Sequence, residues 1–211
     1  MKIKIFQFNP VGVNTYVLYD ETKECVIIDA GSFYHDEKEQ LLNFILDNEL
    51  KVRHLLNTHL HFDHILGNGF VKEQFGLDAE ANRLDQFLLD ELPAQMRMFG
   101  FEPMKTVPVI GKNLEEGDTV TFGNKRLEVI YVPGHSPGSI VFYSPENNCA
   151  FVGDVLFRYS VGRTDLAGGD HNQLIQGIHR KLLVLPPETV IYPGHGPATT
   201  IGDEMKGNPF L

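Results

Sequence analysis

The chain has no tryptophan, only two cysteines in 211 residues, and 18 basic side chains against 28 acidic ones. Each shortage excludes something. Two cysteines cannot build a disulfide-stapled scaffold, so apolar burial must hold the fold. Cys25 and Cys149 both fall in apolar runs and read as small buried hydrophobes in a reducing compartment. A net charge of −10 argues against a nucleic-acid partner, which needs a basic stripe, and against an anionic membrane surface. No apolar run approaches the ~20 residues of a membrane span. The start, Met1 to Phe6, alternates like a strand and lacks the apolar core of a secretion signal, so a cytoplasmic location is the default expectation. At this length one domain over residues 1–211 is expected, burying roughly 70% of its unfolded surface.

What the chain does have is concentrated. Thr58-His59-Leu60-His61-Phe62-Asp63-His64 packs three imidazoles and a carboxylate into seven residues. That donor mixture suits zinc first, and also iron or manganese. The block follows the apolar run Val52 to Leu56, so it sits where a strand ends, as sites in sandwiched α/β proteins tend to. Three further candidates repeat the pattern of strand, tight turn and one ligand. His135 follows Leu127–Val132 in Pro133-Gly134-His135, Asp154 follows Phe151-Val152-Gly153, and His195 follows Thr189–Ile191 in Pro193-Gly194-His195. Glycine lets the backbone turn sharply beside a metal and proline stiffens the approach.

Strands are expected at 3–8, 13–19, 24–29 and 52–57, then near 119–122, 126–132, 139–143 and 148–153. Residues His35 to Leu50 read as an amphipathic helix with Leu41, Leu42, Ile45 and Leu46 inside. A short helix is expected from His64 to Phe75, a pattern broken by Pro93 over 83–99, and a helix over 171–183 capped by Asp170. The stretch Phe87 to Phe101, with Met96, Met98 and Phe99, is either a helix packed on a sheet or an adaptable apolar cover over the site. His35, His54, His171 and His179 lie outside every ligand turn and read as structural or exposed.

The H-x-H-x-D-H block with a later His, Asp and His resembles the metallo-β-lactamase superfamily, over nearly the whole chain. The resemblance implies an α/β fold, an αββα sandwich of two mixed sheets with the metals at one edge. It implies that His59, His61 and His135 bind one metal, that Asp63, His64 and His195 bind a second, and that Asp154 bridges them. Gly153-Asp154-Val155-Leu156-Phe157, Gly162-Arg163-Thr164-Asp165 and the ending Pro193-Gly194-His195-Gly196-Pro197 are most similar to short glyoxalase II-like hydrolases. The helical C-terminal extension of full-length glyoxalase II, which contacts glutathione, has no counterpart after His195, so weak use of glutathione thioesters is expected.

Two divalent metals lower the pKa of a shared water from near 16 toward ~7, giving a hydroxide nucleophile at neutral pH. Asp63 would orient that hydroxide and accept its proton, and Asp154 would set the metal spacing. A thiolate leaves readily, since thiol pKa values are ~8.5, so a small-molecule thioester is the expected substrate. By resemblance Arg163 contacts substrate; by local chemistry it could equally pair with Asp165. The alternatives are an oxygenase similar to the persulfide dioxygenases, with a single iron on His59, His135 and Asp154, and a lactonase.

Overall fold

In the computed structural model, residues 1–104 and 107–211 are described. The chain opens with strands β1 (Lys2–Phe8), β2 (Val13–Tyr19) and β3 (Glu24–Ile28), followed by helix α1 (His35–Asp47) and strand β4 (Lys51–Leu56). Two short helices, α2 (Phe62–Ile65) and α3 (Asn68–Phe75), lead to β5 (Ala79–Ala81). Helices α4 (Gln86–Asp90) and α5 (Leu92–Met98) precede β6 (Ile110–Asn113). The second half carries β7 (Thr119–Phe122), β8 (Lys125–Tyr131), β9 (Ile140–Ser144), β10 (Cys149–Gly153) and the small hairpin β11 (Leu156–Phe157) and β12 (Ser160–Val161). It ends with α6 (His171–Gly177), β13 (Val190–Pro193), β14 (Thr199–Thr200) and α7 (Ile201–Gly207).

Two six-stranded sheets result, ordered β1-β2-β3-β4-β5-β6 and β14-β13-β10-β9-β8-β7. Both are mixed: β3, β4, β5 and β6 run parallel, as do β10 and β13, while the remaining neighbours are antiparallel. The period of two in the strands sets the layers. Tyr16, Leu18, Val26 and Ile28 face Val129, Phe142 and Phe151 between the sheets. The alternate residues Val17, Cys25 and Ile27 face outward onto Leu41 and Ile45 of α1. On the far side Val141, Ala150 and Ile191 pack beneath Leu174 and Ile178 of the α6 region. The architecture is the expected αββα sandwich. Truncating Leu41, which has no exposed surface, to alanine would cost about 2–5 kcal/mol.

The two cysteines point into different layers, Cys149 between the sheets and Cys25 under α1. Both are free, and burial pushes their thiols up, to about 11 and about 12 respectively. They are inert core residues. Among the described residues no helix is long and apolar enough to cross a membrane.

Several local expectations need correcting. Helix α1 stops at Asp47, and Leu46 is 61% exposed; Phe44 takes its place in packing against the core. The helix expected from His64 is two helices, because the chain turns at Leu66-Gly67. The helix capped by Asp170 begins as expected, with Gln173 N–H donating to the Asp170 carboxylate at 3.0 Å, but it widens to a π-helical turn over Ile178–Leu182. Strands β5 and β6 and helix α7 were not expected at all.

Candidate metal centre

The ligand candidates sit on the loops that follow β4, β8, β10 and β13, at one edge where the two sheets meet. The edge is stitched across. Asn14 N–H donates to Gly194 C=O at 2.7 Å, Gly194 N–H to Gly153 C=O at 2.7 Å, and Ile140 N–H to Thr58 C=O at 2.8 Å. Gly153 turns with φ +51, and a Cβ there would lie 2.2 Å from Thr58 Oγ1, so only glycine lets the Asp154 turn close on the His59 loop.

All seven candidates converge. Two triads, His59–His61–His135 and Asp63–His64–His195, each bring their ligand atoms within 4.8 Å of one another, and Asp154 forms a third such group with His59 and His64. His135 Nε2 lies 3.3 Å from His59 Nε2 and 2.9 Å from His61 Nδ1. Asp63 Oδ2 lies 3.1 Å from His195 Nε2 and 3.6 Å from His64 Nε2. Asp154 reaches both triads, with Oδ2 at 3.6 Å from His135 and 3.7 Å from His195, and Oδ1 at 3.4 Å from His64.

Hydrogen bonds behind the rings decide which nitrogens offer lone pairs. His135 Nδ1–H donates to Arg163 C=O at 2.8 Å. His64 Nδ1–H donates to Asp29 Oδ2 at 3.0 Å. Thr58 Oγ1 donates to Asp29 at 2.7 Å and so accepts from His59 Nδ1–H at 3.1 Å. The Nε2 atoms of all three rings are therefore lone pairs turned into the cluster. Lone pairs facing each other repel unless a cation lies between them. His64 Nε2 and Asp154 Oδ1 are buried with no hydrogen-bond partner among the described residues, as expected of donors reserved for a metal. Tetrahedral bonds of 2.0–2.1 Å place neighbouring ligand atoms about 3.3–3.4 Å apart. The observed 2.9–3.7 Å separations bracket that spacing, and the residues fit two divalent ions.

The electrostatics agree. Burial, reinforced by the surrounding imidazoles, holds His59 well below its ordinary pKa and His61 down to about 3, so both are neutral ligands. Burial opposes charge on His64, but Asp63, Asp154 and Asp29 overcome it and raise its pKa well above the ordinary value, so its Nε2 lone pair calls for a cation, a proton where no metal is bound. Burial likewise opposes ionisation of Asp63 and Asp154, yet facing His64 and the other imidazoles hold both carboxyls below the usual range. The site's field calls for positive charge.

Arg163 lies at the mouth of the pocket above the cluster, and its Nε and Nη2 donate to the two oxygens of Asp165 at 2.7 and 2.8 Å. The pairing with Asp165 expected from local chemistry is present, and Arg163 lines the pocket as well. The Phe87–Phe101 stretch packs on both the ligand loop and the sheet edge: Leu88, Leu89, Leu92 and Met96 cluster with Leu60, Phe62 and Ile65 and with Ala81 of β5 and Ile110 of β6. Phe99 stacks on Phe62 at 4.8 Å and borders the pocket with Met98.

Two residues escaped the sequence reading. Asp29, 1% exposed and at φ +52, braces His64 and accepts from Thr58 N–H at 2.8 Å. Asp85, fully buried, accepts from Leu60 N–H at 3.1 Å, Ser136 Oγ–H at 2.8 Å and Gly138 N–H at 2.6 Å, tying the His59–His64 loop to the His135 turn. Burial pushes the Asp85 carboxyl up against those hydrogen bonds. Asp29 did carry a signal, a carboxylate directly after an apolar strand, as at Asp154. Asp85 carried none.

The two-sheet edge with this donor set is matched by a family. A model of the metallo-β-lactamase superfamily matches residues 8–195. The chain belongs to that superfamily. It is 37% identical to hydroxyacylglutathione hydrolase GloC of Haemophilus influenzae, over 100% of this chain and 98% of the relative. It is 31% identical to the mitochondrial persulfide dioxygenase ETHE1 of Homo sapiens, over 97% of this chain and 74% of the relative. Crystal structures of BLEG-1 B3 metallo-β-lactamase and of TTHA1623 in a di-iron-bound form superpose with TM-scores of 0.89 and 0.88. Their sequence identities are 38% and 39%, with 100% and 99% of this chain covered, and 99% and 100% of theirs. The superfamily is one of metallo-hydrolases, and the cluster offers the donors that divalent metals require.

Proposed function

We propose that this metallo-β-lactamase-fold chain is a two-metal hydrolase of small-molecule thioesters, zinc being the first metal to test. The observation that carries the proposal is the pair of donor triads bridged by Asp154 beneath a single pocket. His59, His61 and His135 would hold one ion, Asp63, His64 and His195 the other. Two such ions supply an activated water and polarise the substrate carbonyl. With Asp63 Oδ2 committed to its triad, 3.1 Å from His195 Nε2, the other oxygen of that carboxylate is the one left to accept the water's proton. The acyl carbon would gain the water oxygen as its bond to sulfur breaks, the electron pair would leave with the thiolate, and the proton taken from the water by Asp63 would pass to that thiolate.

The thioester is favoured over an amide by what lines the pocket. Outside the cluster its polar side chains are Glu91, Gln95 and Arg163. A thiolate with a conjugate pKa of ~8.5 leaves unassisted, whereas a nitrogen leaving group needs an acid, and of these three side chains Glu91 alone could supply one. The similarity to hydroxyacylglutathione hydrolase GloC supports the same reading. Arg163 is assigned to the substrate at the pocket mouth. The net charge of −10 gives no support to a polyanionic partner. The similarity to ETHE1 keeps one second reading, an oxygenase with a single iron on His59, His135 and Asp154. Metal analysis and turnover on the same sample test both. Two ions per chain and release of thiol from a thioester are expected; one iron with persulfide-dependent oxygen uptake and no thiol release would replace the hydrolase.

A further inference from the structure

The thioester reading leaves the acyl group open. The pocket above the metal centre encloses about 260 Å³ and is walled by Val11, Leu88, Met98, Phe99, Leu166 and Ala167. Three of these are large apolar residues left open to solvent, Val11 at 45%, Met98 at 79% and Phe99 at 46%. In a chain this acidic, exposed apolar residues gathered around a concave site mark what the site binds. The same cavity is floored by His61, Asp63, His135, Asp154 and His195, so anything in it lies directly on the reacting atoms.

The polar groups at the rim point the same way. Arg163, the cation lining the pocket, has its charge engaged by Asp165 through two hydrogen bonds. Glu91 adds a carboxylate to the wall. An acyl group ending in a second carboxylate would meet repulsion there, and hydroxyls lying against Leu88, Phe99 and Leu166, away from Glu91 and Gln95, would be left without partners. An apolar cavity of about 150 Å³ holds a benzene ring, so the volume here accommodates roughly ten carbon-sized atoms.

Resting on the thioesterase reading, we infer that the pocket selects uncharged, apolar acyl groups of medium length, aliphatic or aromatic, with Phe99 and Leu166 as specificity-determining residues. Each methylene added to the acyl chain should be buried until the pocket fills. The gain is about fourfold per methylene, or about 250-fold from a four-carbon to an eight-carbon group, at about 0.8 kcal/mol for each buried CH₂.

Two measurements on the metal-loaded protein separate this inference from the reaction it rests on. Calorimetric titration with straight-chain carboxylates from acetate to octanoate reads the pocket alone. Kinetics on the matching acyl thioesters of one small neutral thiol read the chemistry. Affinity rising with chain length, with the slope cut to twofold per methylene or less in both Phe99→Ser and Leu166→Ser, supports the inference. Phe99 stacks on Phe62 within the ligand block, so Leu166→Ser, on another loop, guards against a variant that only disturbs folding. Flat affinity from acetate to octanoate, or succinate binding more tightly than butyrate, overturns it. Length-dependent binding of the acids without hydrolysis of any thioester would leave the apolar acyl site standing and refute the thioesterase reading instead.

Discussion

Replacing Asp29 by asparagine should weaken the metal centre without touching a metal ligand. Its Oδ2 accepts from His64 Nδ1–H at 3.0 Å and from Thr58 Oγ1–H at 2.7 Å, while Oδ1 accepts from Thr58 N–H at 2.8 Å. An amide cannot reproduce this set. In one orientation its NH₂ faces the Thr58 N–H, donor against donor. In the other it faces His64 Nδ1, and that nitrogen must then give up its proton to Nε2, the atom that points at Asp63 and Asp154. Losing such a brace typically costs 10–100-fold in metal affinity. The charge-assisted hydrogen bonds add a folding cost of about 2–3 kcal/mol. At about 2–4 °C per kcal/mol for a chain of this size, the melting temperature of the metal-free protein should fall by about 4–12 °C. Chelator competition reads the affinity and thermal unfolding the stability. The expected pattern is selective weakening of the ion assigned to Asp63, His64 and His195. Metal affinities within twofold of the parent for both ions would refute the tautomer argument, whatever the melting temperature does.

Other perturbations test other links. Gly194→Ala should abolish tight metal binding, because the added Cβ would lie 2.2 Å from Asp154 Oδ1 and 2.6 Å from His64 Cε1; metal analysis showing full loading would count against that crowding. Asp154→Ala should lower metal content, since it reaches both triads, whereas Asp63→Asn should retain one ion and lose about 10²–10⁴-fold in rate; matched losses of metal and activity in the two variants would deny them separate roles. Glu80, held by His54 and Lys112, supplies a pH test away from the metals. Burial opposes its ionisation, but those two partners keep its carboxyl below the ordinary 4.5, so its contribution is complete above that value and is lost as the pH falls through the lowered one. The melting-temperature gap between the parent and Glu80→Gln should therefore be widest near neutrality and close below pH 4.5; a gap that widens on acidification would contradict the assignment.

The ligand set was legible in the sequence because each member follows an apolar strand on a short turn, and strand ends are fixed by local pattern. The outer strands β5 and β6 were not. Ala79-Glu80-Ala81 is too short and too small to carry a period-two signal, and it becomes a strand only because β4 offers it a partner edge. Helix α7 was hidden for a similar reason. Its cap, Thr200 accepting from Asp203 N–H at 3.1 Å, is local, but it is anchored by Glu204, fully buried and accepting from Thr199 Oγ1–H and from Tyr159 N–H, 45 residues earlier. Leu46 failed in the opposite direction: the helical period allowed it an inward position, and the sheet below had room only for Leu41, Phe44 and Ile45.

The same logic separates the two carboxylates that brace the site. A metal ligand must stand on a turn that exposes its side chain at the strand end, so the turn itself is the signal. A bracing residue needs only to reach the back of a ligand loop, and any element can supply it. Asp29 comes from the end of β3 and Asp85 from the short 3₁₀ turn Arg83–Asp85 ahead of α4. Asp85 joins Leu60, 25 residues before it, to Gly138, 53 residues after it, a closure that exists only once the two halves of the chain have met. A centre assembled from both sheets therefore has its donors written locally and their alignment written only in the tertiary fold. For that reason Asp29 and Asp85, and not the seven donors, are where substitution should separate metal affinity from the bare presence of ligands.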